Sequence, residues 1–494
     1  MTSAADGDTS PAQRTPDATS RVMRNAAWLA GGQFLAAPLA LFVNSVAAHQ
    51  LGPRDFAWIY LATTYAGFGF LVVEWGQGGT LTAMIARERA HALQWLASSL
   101  TLRACLVLPV VAALLLLGTA LHYPAGLLVV LCFSALAAAG LSVSTACMDV
   151  FRGLERGALS GASYLAAQIL AVAVVVPTLL LGAGLRGFLL AQVACSAIGA
   201  LILMAVVRRM AEGTFAPGRD RIRQLFLTGR PFLVFGLVLS LQANLDALFL
   251  SRLVPATVVG WSAVATKLVG MLIFPATALS SSLYPTLCRI GLQDAGLTGR
   301  TIRASVRLIL ICSVPLALGC ELFPGIGVAI YGGAAYRASE NNLHILAPYV
   351  FLVYLTMPLG SSLIALGRQR AWTWAQLACV LVSVALDPLL IPWFQEHYGN
   401  GGLGVCVSMV LSEILMLISA LVLLPVPLAD PELRRTIVHV AVGACALVLV
   451  AQVAPWVGAW CAAGFGGVAY VAVLAAFGEL PWRRALNALA ARRR

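Results

Sequence analysis

The chain has 494 residues, 60% hydrophobic and 11% charged, with a mean hydropathy of +0.89 and a formal net charge of +12. Soluble domains carry about 25% charged residues, so a water-soluble fold is excluded, and the positive charge is not a nucleic-acid footprint. Long apolar runs without period-two alternation are spanning helices, because in lipid the backbone must satisfy its own hydrogen bonds and each crossing takes roughly 20 residues.

Residues 1–20, rich in Thr, Ser, Asp, Ala and Pro, contain nothing that offsets the entropy of ordering, and they read as a disordered cytoplasmic tail. Arg21 and Arg24 then precede an apolar run to Ala48. That run is too long for the core of a cleaved signal peptide and becomes the first span. Spans are expected at 25–49, 57–84, 95–120, 124–149, 158–181 and 186–208, which form an N-terminal lobe over 21–208. A cytoplasmic linker, 209–225, contains Gly, Pro and four arginines. A second lobe over 226–426 follows, with spans at 226–251, 257–287, 304–330, 343–366, 371–394 and 402–426. Residues 427–494 add spans at 436–454 and 457–480 and a basic cytoplasmic tail. The expected fold class is therefore an all-α polytopic membrane protein of about fourteen transmembrane helices, with two six-helix lobes and a C-terminal pair.

Charge sets the orientation, since cytoplasmic loops collect Arg and Lys. With the N-terminus inside, 27 arginines fall on the inner side and only Arg54, Arg186, Arg252 and Arg337 on the outer. Both termini are thus expected in the cytoplasm, and of the 32 basic residues Lys267 alone is left unexplained by topology.

The halves are written twice. A gapless shift of 202 positions lays Leu51-Gly52-Pro53 on Leu253-Val254-Pro255, Asn44 on Asp246 and Arg87 on Arg289. Further on, Arg152-Gly153-Leu154 meets Leu366-Gly367-Arg368, where the offset has grown to 214. Both copies start on the same side, which makes this a parallel repeat about an axis along the membrane normal.

The 11 cysteines include no CxxC pair, and the 6 histidines form neither HxxxH nor HExxH, so no disulfide framework and no metal site is expected. No loop is long enough to house an extramembrane catalytic domain, so the protein is not read as an enzyme. Function falls to ionisable residues inside spans, where a charge costs at least ~2.5–3.5 kcal/mol and must face protein or water. Lys267 shares a helix face with Gly270, Phe274, Thr277 and Ser281, a small and polar stripe that suits a wet cavity. Snorkelling or a structural ion pair is the other reading. Asp246 with Gln242, and its counterpart Asn44 with Gln33, give the seventh and first helices matching polar faces, either for a central cleft or for interhelical bonding. Glu74, Glu321, Asp387 and Glu413 are further acids in spans; together with Asp246 they are candidates to bind a coupling H+ or Na+, or else structural partners. Arg252 closes the seventh helix, and Arg24 opens the first at the level of lipid headgroups. No cofactor is expected beyond a coupling ion.

The stretch Asn25-Ala26-Ala27-Trp28 through Gln33, then Leu51-Gly52-Pro53-Arg54-Asp55-Phe56, Glu74-Trp75-Gly76 and Arg87-Glu88 resembles the start of polysaccharide-transporter flippases. Asp246, Leu253, Gly260-Trp261-Ser262, Tyr284-Pro285 and Arg289 look like that family's second lobe. The likeness covers roughly 21–426 and marks the superfamily of multidrug (MATE-type) exporters, lipid II flippases and polysaccharide flippases (MOP). It implies two lobes around a cationic cavity that opens alternately to either side. The substrate it implies is undecaprenyl-diphosphate-linked oligosaccharide, carried across the bacterial inner membrane for O-antigen, capsule or exopolysaccharide assembly. Membrane lipids, a polymerase and export proteins are the implied partners, and Lys267 would hold the diphosphate or an acidic sugar. Many members have twelve spans, and this cavity is poor in basic residues. A lipid II flippase and a MATE-type antiporter therefore remain alternatives, with a membrane glycosyltransferase or polymerase behind them.

Overall fold

Proline and glycine punctuate the apolar runs, and the helices turn or break where they stand. The computed structural model describes residues 16–290, 295–428 and 430–479. The first half comprises α1 (Pro16–Glu74), α2 (Gln77–Arg87), α3 (Ala92–Ala120), α4 (Ala125–Gly153), α5 (Gly157–Leu180) and α6 (Gly184–Met210). The second comprises α7 (Arg219–Leu253), α8 (Ala256–Ile290), α9 (Ala295–Leu322), α10 (Pro324–Tyr331), α11 (Ser339–Ala365), α12 (Gln369–Tyr398) and α13 (Gly402–Leu423). The chain continues through α14 (Pro431–Ala451), α15 (Ala454–Val457) and α16 (Ala459–Ala476). No strand occurs among the described residues.

Two expected spans are joined in α1, which bends at Gly52 (φ 75°, ψ 174°) just before Pro53. At the duplicated position α7 stops and α8 begins, with Val254 extended (φ −135°, ψ 160°) before Pro255. A residue that precedes proline is driven out of the α region, so the repeated Leu-x-Pro makes one turn twice. A second break, at Trp75 (φ 50°) and Gly76 (φ 65°), divides the expected span 57–84. The expected span 304–330 ends at Leu322, and α10 restarts at Pro324, a residue favoured in a first helical turn. Among the described residues, 12 helices are long and apolar enough to cross a membrane. The first of the 12, Gly31–Arg87, has 57 residues, about 86 Å of helix against a hydrocarbon core of about 30 Å. Helix α7, with 35 residues, is also long enough to cross.

Three boundaries move. Helix α1 begins at Pro16, inside the expected tail, whose first fifteen residues lie outside the described part. The expected linker closes early, because α7 starts at Arg219 and its Leu225 is fully buried against the first half. The repeat register also shifts. Leu154, Glu155 and Arg156 donate to Val150, Arg152 and Phe151, and Leu366, Gly367 and Arg368 donate to Ser362, Ile364 and Leu363 in the same pattern. Leu154 thus pairs with Leu366, two residues away from the match of Gly153 with Gly367. Gly367 occupies the left-handed position (φ 76°) that Glu155 takes in the first copy (φ 60°).

The packing divides by membrane face. On the face with few arginines, one apolar core joins both halves: Phe56, Leu61, Leu127 and Leu179 pack in the same cluster as Val259, Val264, Tyr336 and Leu346. On the arginine-rich face the buried residues form separate cores. Leu81, Ile85, Trp95 and Phe151 build one with Leu225, while Leu287, Ile302, Leu363 and Trp372 build another. Helices α14 and α16 pack on each other and on α9, where the Tyr470 hydroxyl donates to the Ile311 carbonyl at 2.8 Å and Arg303 pairs with Asp430 at 3.3 Å.

Glycine sets two close approaches between the halves. A Cβ at Gly229 would overlap the Trp75 carbonyl, and one at Gly260 the Pro53 carbonyl, whereas Gly270 has open space. Gly229→Ala and Gly260→Ala are each expected to cost roughly 1–3 kcal/mol and Gly270→Ala nothing, read as the thermal unfolding midpoint of the solubilised protein.

Candidate functional site

The joined face is latched by hydroxyls and aromatic rings at the ends of the first two spans. The Tyr65 hydroxyl meets that of Tyr123 at 2.7 Å and Ser251 Oγ at 3.0 Å, and so links α1 to α7. Ser45 Oγ donates to the Ile330 carbonyl, and Tyr336 Oη to that of Ala48 at 3.2 Å. Burial, and then the charge of Asp55, push the Tyr336 phenol up, so it stays protonated and keeps donating. Phe56 meets the rings of Tyr331 and Tyr336, both at 6.2 Å. Arg252 is exposed here and donates to the Leu121 carbonyl, so it ties the two halves at their surface.

Where the cores separate, α7 bridges the halves. Trp75, at the helix break, donates its indole N–H to the Phe226 carbonyl at 2.9 Å and stacks on that ring at 4.5 Å. Beside this joint lies a charge network that the sequence did not announce. Arg103, 3% exposed, donates to the Ser142 carbonyl and to Thr145 Oγ1 at 2.9 Å, and lies 3.7 Å from Glu74. Asp149, equally buried, pairs with Arg152 at 3.1 Å. Lys267 is therefore not the one basic residue set apart from the cytoplasmic loops, because Arg103 is also drawn inside by these polar helix faces. Its signal was the polar pair Ser142 and Thr145 on α4, the two hydroxyls it meets. Glu74 is engaged in this network, in the first half.

Three other acids gather in the second half, around a cavity of about 430 Å³ between α7, α11, α12 and α13. Asp246 and Glu413 both line it. Asp246 accepts from Ser383 Oγ at 3.1 Å, and the same hydroxyl lies 3.4 Å from Asp387 and 3.3 Å from Ser408 Oγ. Asp387 is fully buried within hydrogen-bonding reach of the Asp246 carboxyl, and its Oδ1 has no hydrogen-bond donor. Glu413 accepts from Thr356. Among the described residues no Arg, Lys or His lines the cavity. Two carboxyls and two hydroxyls held together out of water have the chemistry to accept a proton or a small cation. Among the described residues no group of three or more His, Cys, Asp or Glu is placed to hold a metal ion. Ser383 and Ser408 were not singled out from sequence, although the i, i+4 spacing of Ser383 and Asp387 carries the signal.

The remaining candidates lie apart from that cavity. On α8, Gly260 meets Pro53 and Phe274 meets Phe34 at 6.2 Å, both on α1. Lys267 stands two helical turns from each, hence on the face turned toward α1. It is half-buried, and among the described residues it has neither a hydrogen bond nor an ion pair. Asn44 donates back to the Ala40 carbonyl of its own helix at 2.8 Å, and Gln33 is half-buried on α1. Glu321 pairs with His344 at 3.3 Å, half-exposed, away from the other acids. The side chains of Arg24 and Gln242 lie outside the described residues.

A model of the family described as polysaccharide biosynthesis protein matches residues 22–291, more than half of the chain. The chain belongs to this family. Among solved structures, the lipid II flippase MurJ in an inward closed conformation is 12% identical, with 90% of this chain and 97% of that one covered at a TM-score of 0.70. An inward-facing multidrug resistance MATE family transporter of the MOP superfamily is 14% identical and covers 78% and 92% at 0.57. A MOP superfamily transporter from Pyrococcus furiosus is 14% identical and covers 81% and 94% at 0.53. At these identities the likeness is one of fold, the fold that these membrane transporters share. No curated protein matches the sequence.

Within the first-half network, removing one partner strands a buried charge. Arg103→Ala is therefore expected to destabilise by about 3–5 kcal/mol, whereas Glu321→Ala on the half-exposed His344 pair costs under about 1 kcal/mol. Thermal unfolding of the two purified variants checks the contrast.

Proposed function

We propose that this protein is a flippase that moves undecaprenyl-diphosphate-linked oligosaccharide across the bacterial inner membrane by alternating access, without covalent chemistry. One observation carries the reading: the halves share a core on one face and separate on the other, while an unpartnered lysine sits on the seam between α1 and α8. Such a molecule exposes a central cleft to one side at a time. Lys267 supplies a point charge where a diphosphate or acidic sugar passes. The distribution of arginines makes the separated face cytoplasmic and puts both termini there. Asp246 and Asp387, with Ser383 and Ser408, take up the driving ion, H+ or Na+. A polymerase and export proteins act on the delivered product.

The fold of MurJ supports a second reading, lipid II as the cargo, because that likeness extends over 90% of this chain. Both cargoes present a polyprenyl diphosphate, so the choice rests on the glycan. Cells lacking the protein lose a surface polysaccharide on the first reading and arrest peptidoglycan synthesis on the second.

Lys267→Ala is expected to cut export by roughly tenfold to a hundredfold, the weight of one charged hydrogen bond, with the amount of inserted protein unchanged. Lys267→Arg keeps the charge and an intermediate rate. Unchanged export in the alanine variant removes Lys267 from the binding role. Asp246→Asn and Asp387→Asn each abolish stimulation by an ion gradient in reconstituted vesicles, whereas Glu321→Gln preserves it; stimulation that survives both acid substitutions contradicts the coupling assignment.

A further inference from the structure

The cavity at Asp246 is elongated, and its lining has a direction. It includes Tyr349 to Ile364 of α11, Trp372 to Ser383 of α12 and Met409 to Met416 of α13. Its far end therefore reaches the turn between α11 and α12, where Arg368, and Arg370 at the start of α12, stand on the arginine-rich face. From Trp372 to Asp387 the helix rises about 22 Å. Polar side chains follow one another along this length: Ser361 and Gln376 near the mouth, Glu413 with Thr356 midway, then Ser383 before the acid pair. The groups facing Glu413 are Tyr349 and Cys379, and Tyr349 also faces Asp246. The walls between are apolar, with Met357, Met409 and Met416.

The fold itself does not need these acids. In the first copy, α5 and α6 take the places of α12 and α13 and carry no acidic residue, and Asn44 stands where Asp246 stands in the second. A feature present in one copy of a duplicated scaffold serves something the scaffold alone does not do.

We infer that this cleft is a one-sided entrance for a small monovalent inorganic cation, H+ or Na+, with Glu413 and Thr356 as a loading site between the arginine-rich face and the acid pair. The inference rests on the coupling role proposed for Asp246 and Asp387 and adds the route and its direction. An isolated cation in this apolar passage meets a steep barrier; a carboxylate midway divides it into two smaller ones.

The test is charge displacement in oriented proteoliposomes that hold the full-length protein, after a concentration jump of Na+ at constant pH or of H+ at constant Na+. The responding arm identifies the cation. A jump on the arginine-rich side is expected to displace charge, Glu413→Gln to slow it on the order of tenfold, about 1.4 kcal/mol of barrier, with the total charge preserved, and Asp387→Asn to abolish it. Ser361→Phe, which narrows the mouth and leaves Glu413 intact, slows loading in the same way, so a poorly folding Glu413 variant does not decide the matter. Wild-type rates in both Glu413→Gln and Ser361→Phe, with Asp387→Asn silent, overturn the entrance and leave the coupling pair standing. Full displacement in Asp387→Asn overturns both.

Discussion

The shared apolar core at the arginine-poor face is the constraint on which the rest of the structure depends. Lipid tails are as apolar as the side chains of that core, so it is held by packing and hydrogen bonds and not by exclusion from water. Phe56 between Tyr331 and Tyr336, the Tyr65–Tyr123–Ser251 hydroxyls and the backbone approach of Gly260 to Pro53 supply that packing and bonding. Such a contact, held by a few hydrogen bonds and by packing, re-forms when its partners return. The same residues can therefore close the molecule in one state and release it in another.

Helix α7 connects this latch to the charged sites. Its first turns pack on the first half through Trp75, Phe226 and Gly229, and farther along Asp246 joins Ser383 of α12. On the proposed coupling role, a change in the charge held by Asp246 and Asp387 acts on a helix that is anchored in both halves. Among the described residues the acid pair has no basic partner, so on the proposed coupling role its proton or cation comes from outside the protein, which is the condition for an ion to do work on the fold.

Much of the architecture was legible in the sequence because its punctuation is local. Leu51-Gly52-Pro53 and Leu253-Val254-Pro255 impose their turn through proline sterics, and the arginine count orders the loops without any tertiary knowledge. The register of the later repeat was off by two because a glycine was matched to a glycine, whereas the left-handed position it fills is taken by Glu155 in the first copy. Single residues on the list of candidates met different fates. Asp246, Asp387 and Glu413, far apart in sequence, converge on one cavity, while Glu74 and Glu321 find separate partners. Arg103 looked like a loop-proximal arginine because charge counting does not see the polar faces of α3 and α4 that enclose it. Convergence of that kind comes from helix packing, which spacing along one chain does not encode.

Alternation at the latch is the central claim, and the distance between Arg54 and Arg337 reports on it most directly. Both are exposed, one in each half, on the joined face. In a variant without the native cysteines, spin labels placed through Arg54→Cys and Arg337→Cys are predicted to give two distance populations by pulsed electron resonance, the longer one growing when the lipid-linked oligosaccharide and the driving ion gradient are supplied. A single short distance under every condition, in protein that still translocates its cargo, contradicts the account.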